Sequence, residues 1–131
     1  EQKRCFSYID DVVYCLEKMA LDKNIKNEIF NIGPDEGLIS INELAKIVAN
    51  ETGFNSPPQH VEDRPQEVKI ATCSADKARK FLNYKTNTRI QEAVKKTAEF
   101  IKKRGTRNFD YNLPLEIENA KTPSTWRNKT I

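Results

Sequence analysis

Residues 40–53 constrain the fold more tightly than any other stretch, because they carry every local signal of a helix. Their first four residues, Ser-Ile-Asn-Glu, form a capping box, in which Ser40 accepts a backbone N–H three residues on and Glu43 reaches back. Gly53 is placed to end the helix. The apolar residues that line one face are Leu44, Ile47 and Val48. The sequence therefore predicts a helix over 41–52.

Three further segments carry helical patterns, and short apolar or alternating segments separate them. Helices are predicted over 10–22, over a short stretch capped by Ser74, and from a second capping box at 88–91 to about Lys103. The segments predicted as strands are 5–9, 28–32, 38–39 and 59–62. Short strands alternating with about four helices indicate a small mixed α/β domain, and nothing marks a second domain.

Composition excludes several classes of protein. The chain has 131 residues, which suits one domain, and its net charge of +3 is too small to indicate nucleic-acid binding. No apolar run is long enough to span a membrane, and no secretory signal opens the sequence. The three cysteines, Cys5, Cys15 and Cys73, show no disulfide or zinc spacing and are typical of buried thiols in a reducing cytosol. We therefore expect a cytoplasmic protein with no membrane or nucleic-acid partner.

The sequence offers no catalytic machinery of its own. Its four glycines form no phosphate-binding loop, and the single histidine, His60, has no evident catalytic or metal-binding partner. Asp10 and Asp11 are adjacent, so on a helix they point in different directions, and they are expected to cap the helix start rather than act as an acid–base pair. We expect no catalytic, cofactor-binding or metal-binding residue in this chain.

Two arginines stand out as ligand-holding residues. Arg4 and Arg64 lie about sixty positions apart, each in a compact and unusual context. Arginine presents a rigid fork of donors that matches phosphate oxygens. Two such forks converging from separate segments would hold a diphosphate. The hypothesis is that both guanidinium groups face one anionic pocket in the folded chain.

Several segments resemble motifs of the extended short-chain dehydrogenase/reductases. Residues 4–13 resemble their Arg-x-Phe-x-Tyr-Val-x-Asp stretch, and 64–67 resemble their Arg-Pro-Gly-Asp. The other matching segments are 30–33 with 39–44, similar to an Asn-hydrophobic-Gly turn and its helix, 75–84, similar to Asp-x-x-Lys-Ala-x-x-x-Leu-Gly-Trp, and 88–101, similar to the closing helix. These motifs occur in the family's order and cover about 1–104. The nearest members are NAD-dependent nucleotide-sugar epimerases and dehydratases of the UDP-glucose 4-epimerase type.

The resemblance covers only the C-terminal half of such an enzyme. It implies that residues 1–104 form the nucleotide-diphosphate-sugar-binding domain, which is not catalytic alone. The family's Rossmann domain, with its glycine fingerprint and Tyr-x-x-x-Lys pair, would lie before Glu1, and the chain opens inside a motif, so we expect a fragment. NAD would be bound in the full-length enzyme and not by this part. The full-length enzyme would be a homodimer through helices of the absent domain.

The resemblance also implies roles for five residues. Arg4 and Arg64 would meet the diphosphate from two sides, and Glu67 stands where the family has an aspartate that touches the ribose. Phe6 and Ile41 stand where the family lays backbone and apolar side chain against the base or sugar. The chain departs from the family pattern at three places: Gln66 replaces glycine, Glu67 replaces aspartate, and Asn-Tyr at 83–84 replaces Gly-Trp.

The tail, 105–131, has no sustained period but is rich in apolar residues, so we predict that it packs on the domain surface. Its large apolar residues are Phe109, Tyr111, Leu113, Leu115, Ile117 and Trp126. An alternative function remains open: a free-standing interaction module that uses the basic helix at 88–103 and an ordered tail, without nucleotide-sugar binding.

Overall fold

The computed structural model describes residues 1–64, 66–107 and 118–128. Within those ranges, three two-residue strands alternate with helices. The strands are β1 Lys3–Arg4, β2 Ile39–Ser40 and β3 Ile70–Ala71. The helices are α1 Asp10–Leu21, α2 Ile41–Thr52, α3 Asp76–Leu82, α4 Ile90–Arg104 and α5 Ser124–Arg127. This architecture confirms the predicted small mixed α/β class.

The strand β1 is the centre of the sheet, whose order is β2-β1-β3. β1 runs antiparallel to β2, with Arg4 opposite Ile39, and parallel to β3, with Arg4 opposite Ala71. Main-chain bonds extend the pairing on both sides, since Lys3 N donates to Lys69 O at 2.8 Å. The N-terminal residues therefore bring segments that are distant in sequence to either side of Arg4.

The helix α2 forms as its local signals predict. Ser40 Oγ accepts the backbone N–H of Glu43 at 3.1 Å, and the Glu43 carboxylate accepts the backbone N–H of Ser40 at 2.7 Å. Gly53 ends the helix with a φ of 71°, in the left-handed region that glycine adopts without a steric penalty. α2 packs against α4, and α1 packs against α3.

The helix α4 begins differently from the prediction. Arg89 occupies the N-cap position, where no side chain caps the helix, so the predicted capping box at 88–91 is wrong. The Thr88 hydroxyl instead donates to the Asp11 carboxylate at 3.1 Å. Asp11 is buried and also accepts the backbone N–H groups of Asn87 and Thr88. The predicted capping role of Asp11 at its own helix is therefore replaced by a tie between α1 and the start of α4.

Three predicted strands are absent from the part of the chain that the structure describes. The N-terminal strand lies at Lys3–Arg4 rather than 5–9, because main-chain partners are available only there. Residues 28–32 and 59–62 are irregular. Ile29 is 85% exposed, and no neighbouring described strand covers it. An apolar run indicates a tendency to extend, but a strand also needs a partner. Only the predicted piece at 38–39 has a counterpart, β2.

The core lies between α1 and α3. Its most buried residues are Cys15, Ala75, Ala78, Leu82 and Tyr84. All three cysteines are free, as predicted, but only Cys15 is buried and Cys73 is exposed, so the expectation of buried thiols is wrong for Cys73. Cys73 lies in the irregular segment between β3 and α3.

The tail is only partly described. Five of its apolar residues, Phe109, Tyr111, Leu113, Leu115 and Ile117, lie outside the described residues. The sixth, Trp126, is 43% exposed on α5. Packing of the tail on the domain, and the boundary at residue 104, stay predictions. None of the described helices has the length and apolar character needed to cross a membrane.

Candidate functional site

Arg4 lies in the central strand, β1, and its guanidinium donates hydrogen bonds to main-chain carbonyl groups. Its Nη1 donates to the carbonyl oxygens of Lys3 at 2.8 Å and Lys69 at 3.2 Å, and its Nη2 donates to Val68 O at 2.6 Å. These bonds hold the segment before β3 against β1. The Arg4 guanidinium is therefore fixed beside Val68 and Lys69, which follow directly on the second arginine motif.

Arg64 grips Glu67 with a bidentate ion pair. Its Nε donates to one carboxylate oxygen at 2.6 Å, and its Nη2 donates to the other. This is the parallel arrangement in which arginine binds carboxylates and phosphates most strongly. The backbone brings the two side chains together, because Glu67 N donates to Arg64 O at 3.3 Å and Gln66 adopts a φ of 61°. The turn needs a left-handed residue where the family motif has glycine.

Glu67 connects the two arginines electrostatically. Hydrogen bonds from Arg64 are the largest cause of its lowered pKa, which burial opposes. Hydrogen bonding from the Gln2 side chain and the positive charges of Arg64 and Arg4 lower that pKa further. The same pairing raises the pKa of Arg64. Both arginines therefore act on one carboxylate, although they are distant along the chain.

Gln2 links Glu67 to Ile41, and it is a residue that the sequence analysis missed. Its carbonyl oxygen accepts the backbone N–H of Ile41 at 2.9 Å, while its side chain acts on Glu67. Ile41 is the first residue of α2 and is 39% exposed, so its side chain presents apolar surface. The sequence marks Gln2 only by its position two residues before Arg4. That position gains a meaning once Lys3–Arg4 is known to be a strand, because Gln2 then directly precedes β1.

The residues Arg4, Arg64 and Glu67 are called the arginine cluster below, and Phe6 lies apart from them. It lines a cavity of about 350 Å³. The cavity is also lined by Pro34, Glu36, Gly37, Ile39 and residues 86–91. The other four predicted site residues are not among the described residues that line it. Because Ile39 is the strand partner of Arg4, the cavity adjoins the sheet.

A second groove, of about 640 Å³, is lined by residues from all three strands of the sheet. Its lining residues are Glu1, Lys3, Ser40, Asn42, Lys69 and Ile70. Lys3, Ser40 and Ile70 are register partners and share one face of the sheet, whereas Arg4 shares the other face with Ile39 and Ala71. Two lysines in this groove add positive charge near the arginine cluster, although Lys69 pairs with Asp63.

Acidic and sulfur ligands do not cluster in this region. Among residues 1–64, 66–107 and 118–128, no group of three or more His, Cys, Asp or Glu side chains could hold a metal ion. His60 Nε2 lies 3.3 Å from Asn42 Oδ1 and so has an amide neighbour rather than an acid.

The chain is similar in sequence to two curated proteins. No family model matches the chain. It is 31% identical over 101 residues to a UDP-glucuronate 4-epimerase of Thermodesulfobacterium geofontis, an alignment of 77% of this chain and 31% of that protein. It is also 30% identical over 116 residues to the bifunctional polymyxin resistance protein ArnA of Wigglesworthia glossinidia brevipalpis, covering 76% of this chain and 18% of that protein.

A solved structure agrees with these relatives. The crystal structure of UDP-glucose 4-epimerase from Thermotoga maritima, solved with UDP-glucose, superposes with a TM-score of 0.70 and 30% identity, over 79% of this chain and 33% of that chain. This chain is homologous to the C-terminal part of nucleotide-sugar epimerases. The resemblance predicted from the sequence motifs is thereby confirmed. The epimerase-like chain spans less than a third of the curated relatives it matches, at 31% and 18% of their lengths.

Proposed function

We propose that this epimerase-like domain binds a nucleotide-diphosphate sugar as the substrate-binding part of an NAD-dependent cytoplasmic epimerase or dehydratase. The observation that carries the proposal is the bidentate pairing of Arg64 with Glu67, on whose carboxylate the positive charge of Arg4 also acts. Arg64 would supply hydrogen-bond donors to a diphosphate, and the positive charge of Arg4 would add to the attraction.

The surrounding residues fit the rest of such a ligand. Ile41 offers apolar surface beside the arginine cluster, on which a flat base or sugar ring would pack. Phe6 would contribute from the adjoining cavity, at the far end of an extended ligand.

The proposal assigns NAD to another part of the enzyme. The four glycines of this chain form no dinucleotide-binding fingerprint, so the cofactor would be held by a Rossmann domain supplied by another part of the enzyme. In the assembled enzyme the cofactor would carry the redox chemistry, and the residues of this chain would bind and orient the substrate. We also propose that the assembled enzyme is a homodimer.

Calorimetric titration of the chain with UDP-glucose, UDP-glucuronate and UDP tests the proposal. Arg64→Ala removes one guanidinium and is expected to weaken UDP binding by on the order of tenfold, the usual loss for a charge-assisted contact. Arg104→Ala is the matched control, because Arg104 lies at the far end of α4 against Phe100. No binding of any of the three ligands, or equal affinity of the Arg64 variant and the wild type, would refute the proposal.

The alternative, an interaction module without nucleotide binding, has one feature in its favour. Phe100 is 60% exposed on the basic helix α4, with the Arg104 guanidinium 5.5 Å from its ring centre. That reading predicts a partner whose binding depends on Phe100 and not on Arg64. The homology to epimerases favours the nucleotide-sugar site, and the calorimetric titration separates the two.

A further inference from the structure

The Arg64–Glu67 pair is unevenly exposed. The Glu67 side chain is 16% exposed, while the Arg64 side chain is 46% exposed. Glu67 is therefore the more buried member of the pair, and Arg64 is the member more exposed to solvent. The buried partner of an ion pair is the one whose position the fold determines, so the carboxylate is the fixed member of this pair.

The carboxylate engages only one edge of the guanidinium. Glu67 accepts from Nε and Nη2, and no described residue accepts from Nη1. A guanidinium has a second bidentate edge, formed by its two terminal nitrogens. While Glu67 holds the Nε edge, the outer edge stays available to a second anion, with the plane of the fork already set.

The spacing explains why a glutamate serves here. Residues 64 and 67 are joined by a tight turn, with Glu67 N bonded to Arg64 O at 3.3 Å. Across this turn both Glu67 oxygens reach the guanidinium. Aspartate, which the resembling family carries at this place, is one methylene shorter and would reach less far. The two departures from the family pattern, Gln66 in place of glycine and Glu67 in place of aspartate, thus lie in the same turn.

We propose that Glu67 is a positioning residue, which orients the Arg64 fork for the diphosphate instead of contacting the ribose. The proposal rests on the proposed function of the site. It predicts a change in anion affinity that is opposite in sign to the change expected from charge alone. Removing a negative charge beside an anion site should by electrostatics alone strengthen anion binding. If Glu67 positions Arg64, removing its charge weakens binding, because the fork is no longer held in one orientation.

Inorganic pyrophosphate is the probe that separates the two roles, since it has the diphosphate and no ribose. We expect Glu67→Gln to weaken pyrophosphate binding by on the order of tenfold in calorimetric titration. Glu62→Gln is the matched control, because it removes the same charge from an exposed position in the same segment. We expect Glu62→Gln to leave pyrophosphate affinity unchanged or slightly higher.

A double-variant comparison shows whether Glu67 acts through Arg64. If it does, Glu67→Gln in an Arg64→Ala background should cause no further loss, and Glu67→Asp alone should retain part of the wild-type affinity. Unaltered urea unfolding of Glu67→Gln establishes that the domain is intact.

Two results would overturn the inference, and each is distinct from failure of the proposed function. Unchanged or tighter pyrophosphate binding by Glu67→Gln, with weaker UDP binding, would assign Glu67 to the ribose. Equal losses in the presence and absence of Arg64 would show that Glu67 acts independently. A wild-type chain that binds neither UDP-glucose nor pyrophosphate would refute the proposed function itself, and the inference with it.

Discussion

The Asp11 carboxylate accepts both the backbone N–H of Thr88, at 2.9 Å, and the Thr88 hydroxyl, at 3.1 Å. One buried side chain on α1 thus fixes the start of α4. Asp11→Ala should destabilise the domain by about 2–4 kcal/mol, because several hydrogen bonds to a charged, buried acceptor are lost and their part-buried donors are left unpaired. Urea unfolding measures the loss.

The neighbouring Asp10→Ala is the matched control for that experiment. Asp10 is exposed in the first turn of α1, and its removal should cost only about 0.3–1 kcal/mol through the helix dipole. Equal losses for the two variants would show that Asp11 contributes only its charge to the helix start.

Asp35 makes the stability of the domain sensitive to acid. It accepts from Arg79 and, at 2.9 Å, from the backbone N–H of Ala75, and these bonds, with those of Arg79 the larger cause, hold its pKa far below the ordinary carboxyl range. A lowered pKa in the folded state gives stability that is present above the unfolded pKa and lost as the pH falls toward the folded value. The stability gap between the wild type and Asp35→Asn should therefore be constant near neutral pH and narrow in acid.

Urea unfolding at a series of pH values checks this expectation. Glu17→Gln, which removes an exposed carboxylate from α1, controls for the change in net charge. A gap between the wild type and Asp35→Asn that widens in acid would contradict the assigned role of the Asp35–Arg79 pair.

Gln66 adopts a left-handed φ of 61° in the turn between Arg64 and Glu67. A residue with a Cβ pays about 1–2 kcal/mol in that region, whereas glycine does not but is more flexible when unfolded. Gln66→Gly should therefore leave stability unchanged or raise it by up to about 1 kcal/mol, measured by thermal unfolding. Gln91→Gly, inside α4, is the contrasting control and should destabilise by about 1 kcal/mol. A clear loss of stability from Gln66→Gly would show that the Gln66 side chain makes a needed contact.

Cys73 and Cys15 should differ in their reactivity toward alkylating reagents. Cys73 is exposed, whereas Cys15 lies in the core with 0% exposure. Alkylation of the native chain should modify Cys73 and spare Cys15, which should react only when urea unfolds the domain. Mass spectrometry of digested samples assigns each site, and a Cys73→Ser variant serves as the control. Rapid labelling of Cys15 under native conditions would place it outside a stable core.

The helix α2 was determined by the sequence alone, because its signals act over short distances along the chain. The capping bonds between Ser40 and Glu43 span three residues, and the terminating Gly53 needs no partner. Homology could also be inferred from the sequence, since a motif keeps its residue types and order whatever surrounds it.

Tertiary structure decided the features that depend on a distant partner. The strand Lys3–Arg4 forms where two other segments supply main-chain groups, and the alternation at 5–9 did not locate it. Thr88 carries a local capping signal, but the non-local carboxylate of Asp11 takes its hydroxyl. Likewise, only the folded chain shows that Phe6 lines a cavity with residues 86–91 and that the Gln2 side chain acts on Glu67. A hydrogen bond between residues close in sequence can form from the local order of residues, as between Ser40 and Glu43. A hydrogen bond between distant residues exists only after the chain has folded.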